Sequence, residues 1–118
     1  MPIHYTRTPT RIDLAGGWTD VPAFAQVVPG AVLNCAITLY SHVRIADADG
    51  EFLRLRSLDY DSAVEIAVGH VPRDDELHGP FGLARAALRR RPMGRGADVL
   101  THSEAPPGSG LGTSAAMG

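Results

Sequence analysis

The stretch PPGSGLGTSAA, residues 106–116, places three glycines in alternating positions immediately before two hydroxyl residues. Glycine lets the backbone bend and approach a ligand closely, so that successive N–H groups converge on an anion. A helix starting near Thr113 adds free N–H groups and a partial positive charge. The hydroxyls of Thr113 and Ser114 can cap that helix or face a phosphate-bound Mg²⁺. The stretch predicts a strand end, a phosphate-binding loop and a helix start.

Two other phosphate motifs are excluded by the residues themselves. A Walker A loop requires a lysine, and all eleven basic residues of this chain are arginines. The dinucleotide motif G-x-G-x-x-G fails because Thr113, counted from Gly108, or Ala115, counted from Gly110, stands where its last glycine is due. A plain Gly/Ser turn before a capped helix is the alternative for a bare GSG, but the complete string favours phosphate binding.

A second candidate segment is TRTPTRIDLAGGWTD, residues 6–20, a predicted strand that ends at two glycines. Arg11 can hold an anionic phosphate, and Asp13 or Asp20 can accept hydrogen bonds from sugar hydroxyls. Three structural alternatives stay open. Arg11 can pair with a surface carboxylate, Asp13 can be solvated, and Asp20 can cap the following helix.

Composition limits the class of protein. The 118 residues are 44% hydrophobic with a net charge of −2, which is enough for one small domain with a real core. Arg89, Arg90 and Arg91 end a predicted helix, where cations are favoured, so no nucleic-acid partner is expected. The single Cys35 lies in an apolar run and is expected to be buried in a reducing compartment. No signal peptide or membrane-length apolar run occurs, so we expect a soluble, cytoplasmic protein without a membrane partner.

The remaining patterns predict an α+β fold. AVLNCAITLYSHVRIADADGEFLRLRS reads as two strands joined in a hairpin at Asp49–Gly50, and SAVEIAV as another strand. PFGLARAALRRRP predicts a helix with Leu83, Ala87 and Leu88 on one face, and GADVLTHSEA a last strand. Strands with segregated helices are typical of α+β proteins. The residues 59–61 are expected to form a turn, and the five scattered histidines lack metal-ligand spacing.

Together, the two strings resemble the GHMP kinases, the family of galactokinase, homoserine kinase, mevalonate kinase and phosphomevalonate kinase. PPGSGLGTSAA is similar to the family's P-x-x-x-G-L-G-S-S-A loop, with Thr113 in place of the first serine. PTRIDLAGGWTD resembles its N-terminal substrate motif, and LAGGWTDVP followed by GAVLN resembles the branch with fucokinase and heptose-phosphate kinase. The resemblance implies an α+β fold whose N-terminal domain is like domain 2 of ribosomal protein S5.

The resemblance also implies a role for individual residues. Arg11 would be the catalytic basic residue near the transferred phosphoryl group, and Thr113 the ligand of Mg²⁺. Gly17, Trp18 and Asp20 would bind the sugar, and Gly17-Trp18 replaces the Glu-His pair of galactokinases, which argues against galactose. The residues expected to hold the phosphates of ATP are Pro107, Gly108, Ser109, Gly110, Leu111, Gly112, Thr113 and Ser114.

The expected activity is ATP- and Mg²⁺-dependent phosphorylation of a sugar hydroxyl, with the anomeric hydroxyl of fucose, a heptose phosphate or a related sugar favoured. In the family the phosphate loop lies about a third of the way along. Residues 1–118 are therefore expected to be the N-terminal part of a truncated ATP-binding domain, inactive alone. The alternatives are a non-catalytic nucleotide- or sugar-binding module and an inactive truncated product. The oligomeric state is not predicted.

Overall fold

The computed structural model describes residues 1–117 and contains one five-stranded sheet with three short α-helices. Gly118, the last residue of the predicted domain, lies outside the described residues. The strands are β1 (Ile3–Ala15), β2 (Leu33–Asp47), β3 (Phe52–Ser57), β4 (Ser62–Ala67) and β5 (Ala97–Ser103). The helices are α1 (Pro22–Ala25), α2 (Gly82–Arg90) and α3 (Thr113–Met117), and two 3₁₀ turns, Asp74–Glu76 and Gly79–Phe81, precede α2. The predicted α+β class is confirmed.

The strand order is β1-β2-β5-β3-β4, and this order makes the predicted hairpin at Asp49–Gly50 wrong. The strands β2 and β3 both exist but do not pair, because β5 lies between them, antiparallel to β2 and parallel to β3. Gly96, the residue before β5, lies close to the turn between β2 and β3. A Cβ at Gly96 would lie 2.7 Å from the Gly50 carbonyl oxygen, so a larger residue would collide with this turn.

The hydrophobic core lies between α2 and the β3-β4-β5 half of the sheet. It consists of Leu53, Leu55, Ile66, Phe81, Leu88 and Ala97. Strand β3 alternates between buried and exposed residues, as the sequence predicts for a half-exposed strand. The predicted face of α2 is wrong for Leu83 and Ala87, which are exposed. The face that packs on the core consists instead of Phe81, Ala84 and Leu88. Phe81 belongs to it because the 3₁₀ turn before α2 already buries this side chain.

The other half of the sheet, formed by β1 and the first half of β2, is less covered. Strand β5 pairs only with residues 41–47 of β2, so residues 33–40 have β1 as their sheet neighbour. Cys35 belongs to this uncovered part and is exposed, so the prediction of a buried cysteine is wrong. In the described part of the chain, no helix is long and apolar enough to cross a membrane.

Candidate functional site

One cleft of about 940 Å³ brings together the two segments that the sequence singles out. Its walls are the end of β1 with the turn that follows it, the glycine loop between β5 and α3, and two segments near α2 and after β3. The lining residues are Arg11, Asp13, Trp18, Asp20, Val21, Val32, Asn34, Asp59, Tyr60, Gly79, Pro80, Leu83, Ser103, residues 107–114 and Met117. Of the predicted site residues, Gly17 alone does not line this cleft; it is exposed, and a Cβ there would lie 3.6 Å from Asp13 Oδ2.

The glycine loop has the backbone geometry of an anion cradle. Gly108, Gly110 and Gly112 have φ angles of +76°, +74° and +72°, whereas Ser109 and Leu111, between them, have negative φ. Alternation of left- and right-handed residues turns successive N–H groups toward a common point, which is the backbone nest that binds phosphate. The three glycines are therefore required by conformation, since L side chains rarely adopt these angles.

The N–H groups of this loop are available to a ligand. Within residues 1–117, the N–H groups of Gly110, Leu111, Gly112 and Thr113 donate to no protein acceptor. Helix α3 begins at Thr113, and its first intrahelical bond runs from Ala116 N–H to the Gly112 carbonyl at 3.0 Å. Gly112 therefore occupies the cap position rather than Thr113 or Ser114. The two hydroxyls make no side-chain bond to the described part of the protein, which leaves them free to face a ligand.

Arg11 lies against the same loop. Its backbone N–H donates to the Leu111 carbonyl at 2.9 Å, and a Cβ on Gly112 would lie 1.9 Å from an Arg11 guanidinium nitrogen. The guanidinium also pairs with Asp13, with Nε 3.0 Å from Oδ1, so the carboxylate alternative of the sequence is the observed contact. Both side chains are partly exposed, and such a pair contributes at most about 1 kcal/mol. The backbone bond to Leu111 thus holds Arg11 beside the loop, and the weak ion pair with Asp13 is one that a phosphate can replace.

The turn after β1 presents Trp18 and Asp20 to the cleft. Trp18 has a φ of +75°, a left-handed conformation unusual for a bulky residue, and its side chain is 82% exposed. Thr19 stabilises the turn by donating from its N–H and its hydroxyl to the Gly16 carbonyl, at 3.2 and 2.7 Å. Asp20 is not a helix cap, because Val21 occupies the cap position of α1 and no side-chain cap bond is present there.

Several lining residues carry no sequence signal of their own. Asp59 lies in the turn between β3 and β4, as expected for residues 59–61, but its carboxylate is only 7% exposed. It accepts hydrogen bonds from the Ser103 N–H at 2.9 and 3.0 Å. Tyr60, Gly79, Pro80 and Leu83 line the same side of the cleft. An aspartate in a turn is common in any sequence, so Asp59 gives no signal by itself. Its contact with Ser103 becomes visible only once β3 is seen to pair with β5.

Two histidines that are distant in sequence meet on the sheet. His42 and His102 stack with ring centroids 6.0 Å apart, His42 Nε2 lies 2.8 Å from Glu104, and Tyr5 bonds His42 Nδ1. The hydrogen bond from His42, followed by that from the Tyr40 N–H, lowers the pKa of Glu104 below its ordinary value. No group of side chains within residues 1–117 forms a metal-binding cluster.

The chain is similar in sequence to known sugar kinases. No protein-family model matches the chain. It is 31% identical to L-fucokinase/L-fucose-1-P guanylyltransferase of Bacteroides fragilis, over 98% of this chain and 15% of that protein. It is 29% identical to D-glycero-alpha-D-manno-heptose 7-phosphate kinase of Campylobacter jejuni, over 95% of this chain and 34% of that protein. The homologues of this chain are sugar kinases such as these, and its structural neighbours are GHMP kinases.

The structural match covers part of a GHMP kinase. A D-glycero-D-manno-heptose 1-phosphate kinase of Bacteroides thetaiotaomicron superposes with a TM-score of 0.71 and 26% sequence identity. The superposition covers 96% of this chain and 37% of that kinase. The chain thus spans about a third or less of the length of these kinases, and its fold matches part of a GHMP kinase domain.

Proposed function

We propose that residues 1–118 form the N-terminal, ATP-binding portion of an ATP- and Mg²⁺-dependent sugar kinase. The observation that carries this proposal is that one cleft is lined by a backbone nest, by a cation beside the nest and by a carboxylate. These are Gly108–Gly110–Gly112, Arg11 and Asp20. The names of the similar proteins, all kinases of sugars or sugar phosphates, support the reaction class.

The residues present fit a nucleotide phosphate with its metal. Free N–H groups in a glycine nest are the donors that a phosphate needs, and the unpartnered Thr113 hydroxyl is a hard oxygen of the type that Mg²⁺ prefers. Thr113 would hold the metal, which when bound neutralises phosphate charge. Because phosphoryl transfer depends on positioning and electrostatic stabilisation, the chain's own part is to fix the phosphates at the loop and place Arg11 beside them.

The sugar would lie at the turn after β1. Asp20 would accept a hydrogen bond from a sugar hydroxyl, and the exposed indole of Trp18 offers an apolar face beside it. We propose the anomeric hydroxyl of L-fucose, a heptose phosphate or a related sugar as the acceptor. The departure of Gly17-Trp18 from the galactokinase Glu-His pair argues against galactose. The small-molecule partners are therefore MgATP and a sugar or sugar phosphate.

The test uses Trp18, the single tryptophan of the chain, as a fluorescent reporter inside the cleft. Titration of the 118-residue chain with MgATP is expected to change its emission, and this readout needs no turnover. The Thr113→Val variant, which keeps the shape of the side chain but loses the hydroxyl, is expected to bind MgATP about tenfold more weakly. Thr113→Ser is the matched control and should bind as the wild type does.

Three outcomes separate the candidate functions. Equal affinity of Thr113→Val and wild type for MgATP contradicts the metal role of Thr113, and no response to nucleotide contradicts the phosphate loop. Binding of both ligands, with no sugar-dependent ATP consumption by any chain containing residues 1–118, favours a non-catalytic binding module. A coupled assay with L-fucose, heptose phosphates and galactose then identifies the sugar.

A further inference from the structure

Two carboxylates hold the chain at the point where β5 ends and the glycine loop begins. Ser103 is the last residue of β5, and its N–H donates to both oxygens of the Asp59 carboxylate at 2.9 and 3.0 Å. The His102 ring nitrogen Nδ1 lies 3.2 Å from the same carboxylate. Asp59 belongs to neither of the two sequence motifs, yet it fixes the backbone three residues before the loop's first proline.

Glu104, the next residue, makes the second connection on the opposite side of β5. Its Oε2 accepts the Tyr40 N–H at 3.1 Å, and its own N–H donates to the Tyr40 carbonyl at 2.9 Å. Its Oε1 pairs with His42 at 2.8 Å. Asp59 therefore connects the start of the loop to the turn after β3, and Glu104 connects it to β2.

Further hydrogen bonds connect Ser103 to the residues at the two ends of the loop. The Ser103 hydroxyl accepts the N–H of Ala105, which is fully buried, and the buried Ser41 hydroxyl lies 3.5 Å from Ser103. Ser41 also donates to the Thr113 carbonyl at 3.4 Å, on the far side of the loop. A displacement of Ser103 would therefore be transmitted to both ends of the loop.

The burial of Asp59 makes its contacts energetically strong. A carboxylate that is 7% exposed is costly unless donors compensate it, and here the Ser103 N–H and His102 do so. Charge-assisted bonds of this kind are about twice as strong as neutral ones. Removing the charge would weaken the restraint on Ser103 and leave the fold's apolar core, which lies around Leu53 and Leu88, untouched.

We propose that Asp59 and Glu104 are positioning residues for the phosphate loop, holding its start rigidly so that the N–H groups of Gly110 and Gly112 are ordered before nucleotide binds. This positioning role rests on the proposed kinase function only in that MgATP is taken as the ligand of the loop. The order of the loop is a property of the free chain and is measured separately.

The test compares Asp59→Asn and Glu104→Gln with Asp61→Asn in the 118-residue chain. Asp61 is exposed, lies two residues from Asp59 and has a φ of +44°, which asparagine tolerates. ¹⁵N relaxation of the Gly110 and Gly112 amides reports loop order, because within residues 1–117 these N–H groups lack the hydrogen bonds that would slow hydrogen exchange. Trp18 fluorescence reports the affinity for MgATP and, separately, for the sugar.

The expected result is a lower ¹⁵N order parameter at both glycine amides in Asp59→Asn and Glu104→Gln, with MgATP binding weakened about tenfold and sugar binding unchanged. Asp61→Asn should match the wild type. A general loss of structure would instead weaken both ligands alike. If Asp59→Asn does not fold, Glu104→Gln decides alone, because its side chain is partly exposed.

Acid provides a second readout for Glu104. His42 and the Tyr40 N–H face its carboxylate, with His102 nearby, and they lower its pKa. A lowered folded-state pKa contributes stability that is present above the ordinary value of about 4.3 and is lost as the pH falls through the folded value. The difference in ¹⁵N order parameters between wild type and Glu104→Gln should therefore be full at pH 6 to 7 and shrink below about pH 4.

The two proposals fail separately. Ordered glycines in folded Asp59→Asn and Glu104→Gln, with unchanged MgATP affinity, overturn the positioning role and leave the kinase proposal standing. Loosened glycines in a chain whose wild type does not bind MgATP support the positioning role and contradict the phosphate loop.

Discussion

Single residues in the turn after β1 are held in conformations that their neighbours must enforce. Gly16 has a φ of +77°, and a Cβ there would lie 1.8 Å from the Ala31 carbonyl oxygen, so only glycine fits. Trp18 adopts a similar angle with a large side chain, which costs about 1–3 kcal/mol. Strain of this kind persists where surrounding hydrogen bonds impose it. Here the bond from the Thr19 hydroxyl to the Gly16 carbonyl holds the turn in this conformation. Its effect is to direct Trp18 and Asp20 into the cleft.

We expect Asp20→Asn to weaken sugar binding and leave MgATP binding unchanged. The substitution keeps the size of the side chain but removes a charged acceptor worth about 1.5–3 kcal/mol, or roughly tenfold to over a hundredfold in affinity. Fluorescence titration with each ligand measures both effects. Asp49→Asn, in the exposed turn after β2, is the control. An equal loss for both ligands would instead assign Asp20 a structural role.

At the scale of elements, α2 connects the core to the cleft. Its inner side packs Ala84 and Leu88 on the sheet, whereas Leu83, exposed to 44%, lines the cleft. The last turn carries Arg89 and Arg90, and Arg89 pairs with Asp74 in the preceding 3₁₀ turn. Cations at a helix C-terminus are favoured by its dipole, so these arginines have a structural role here.

We expect Leu88→Ala to lower the free energy of unfolding by about 2–5 kcal/mol, because it leaves a cavity in the core. Leu83→Ala, the matched change five residues earlier on the exposed side, should alter it by about 0.5 kcal/mol or less. Urea denaturation followed by circular dichroism measures both values. A loss for Leu83→Ala as large as that for Leu88→Ala would mean that both leucines pack on the core, as the face predicted from sequence requires.

In the molecule as a whole, the two halves of the sheet differ in how much of their surface other elements cover. Helix α2 packs on the β3-β4-β5 half, whereas the far end of the β1-β2 ribbon exposes apolar side chains on one surface. Ile12 lies opposite Cys35, and Leu33, two residues before Cys35, is 61% exposed. Contiguous exposed apolar surface of this kind promotes association.

We therefore expect residues 1–118, made alone, to associate as their concentration rises. Sedimentation velocity over a concentration series measures this. Leu33→Lys, which places a charge on the exposed apolar surface, should reduce the association. Val71→Lys, at an equally exposed apolar residue in the segment before the first 3₁₀ turn, should not. A wild-type chain that stays monomeric throughout would show that the exposed ribbon is not a site of association.

The sequence by itself determined the local features of this protein. Glycines at 108, 110 and 112 specify a nest because only glycine adopts the required angles easily, and the alternation in β3 specifies a half-buried strand. The two motif strings therefore identified the loop, Arg11 and Asp20 as candidate site residues. The tertiary structure alone decided which strands pair, since hydrogen bonds between strands join residues far apart in sequence. The insertion of β5 between β2 and β3 brings Asp59 to Ser103 and stacks His42 on His102. No local pattern encodes these contacts, because they depend on the strand order.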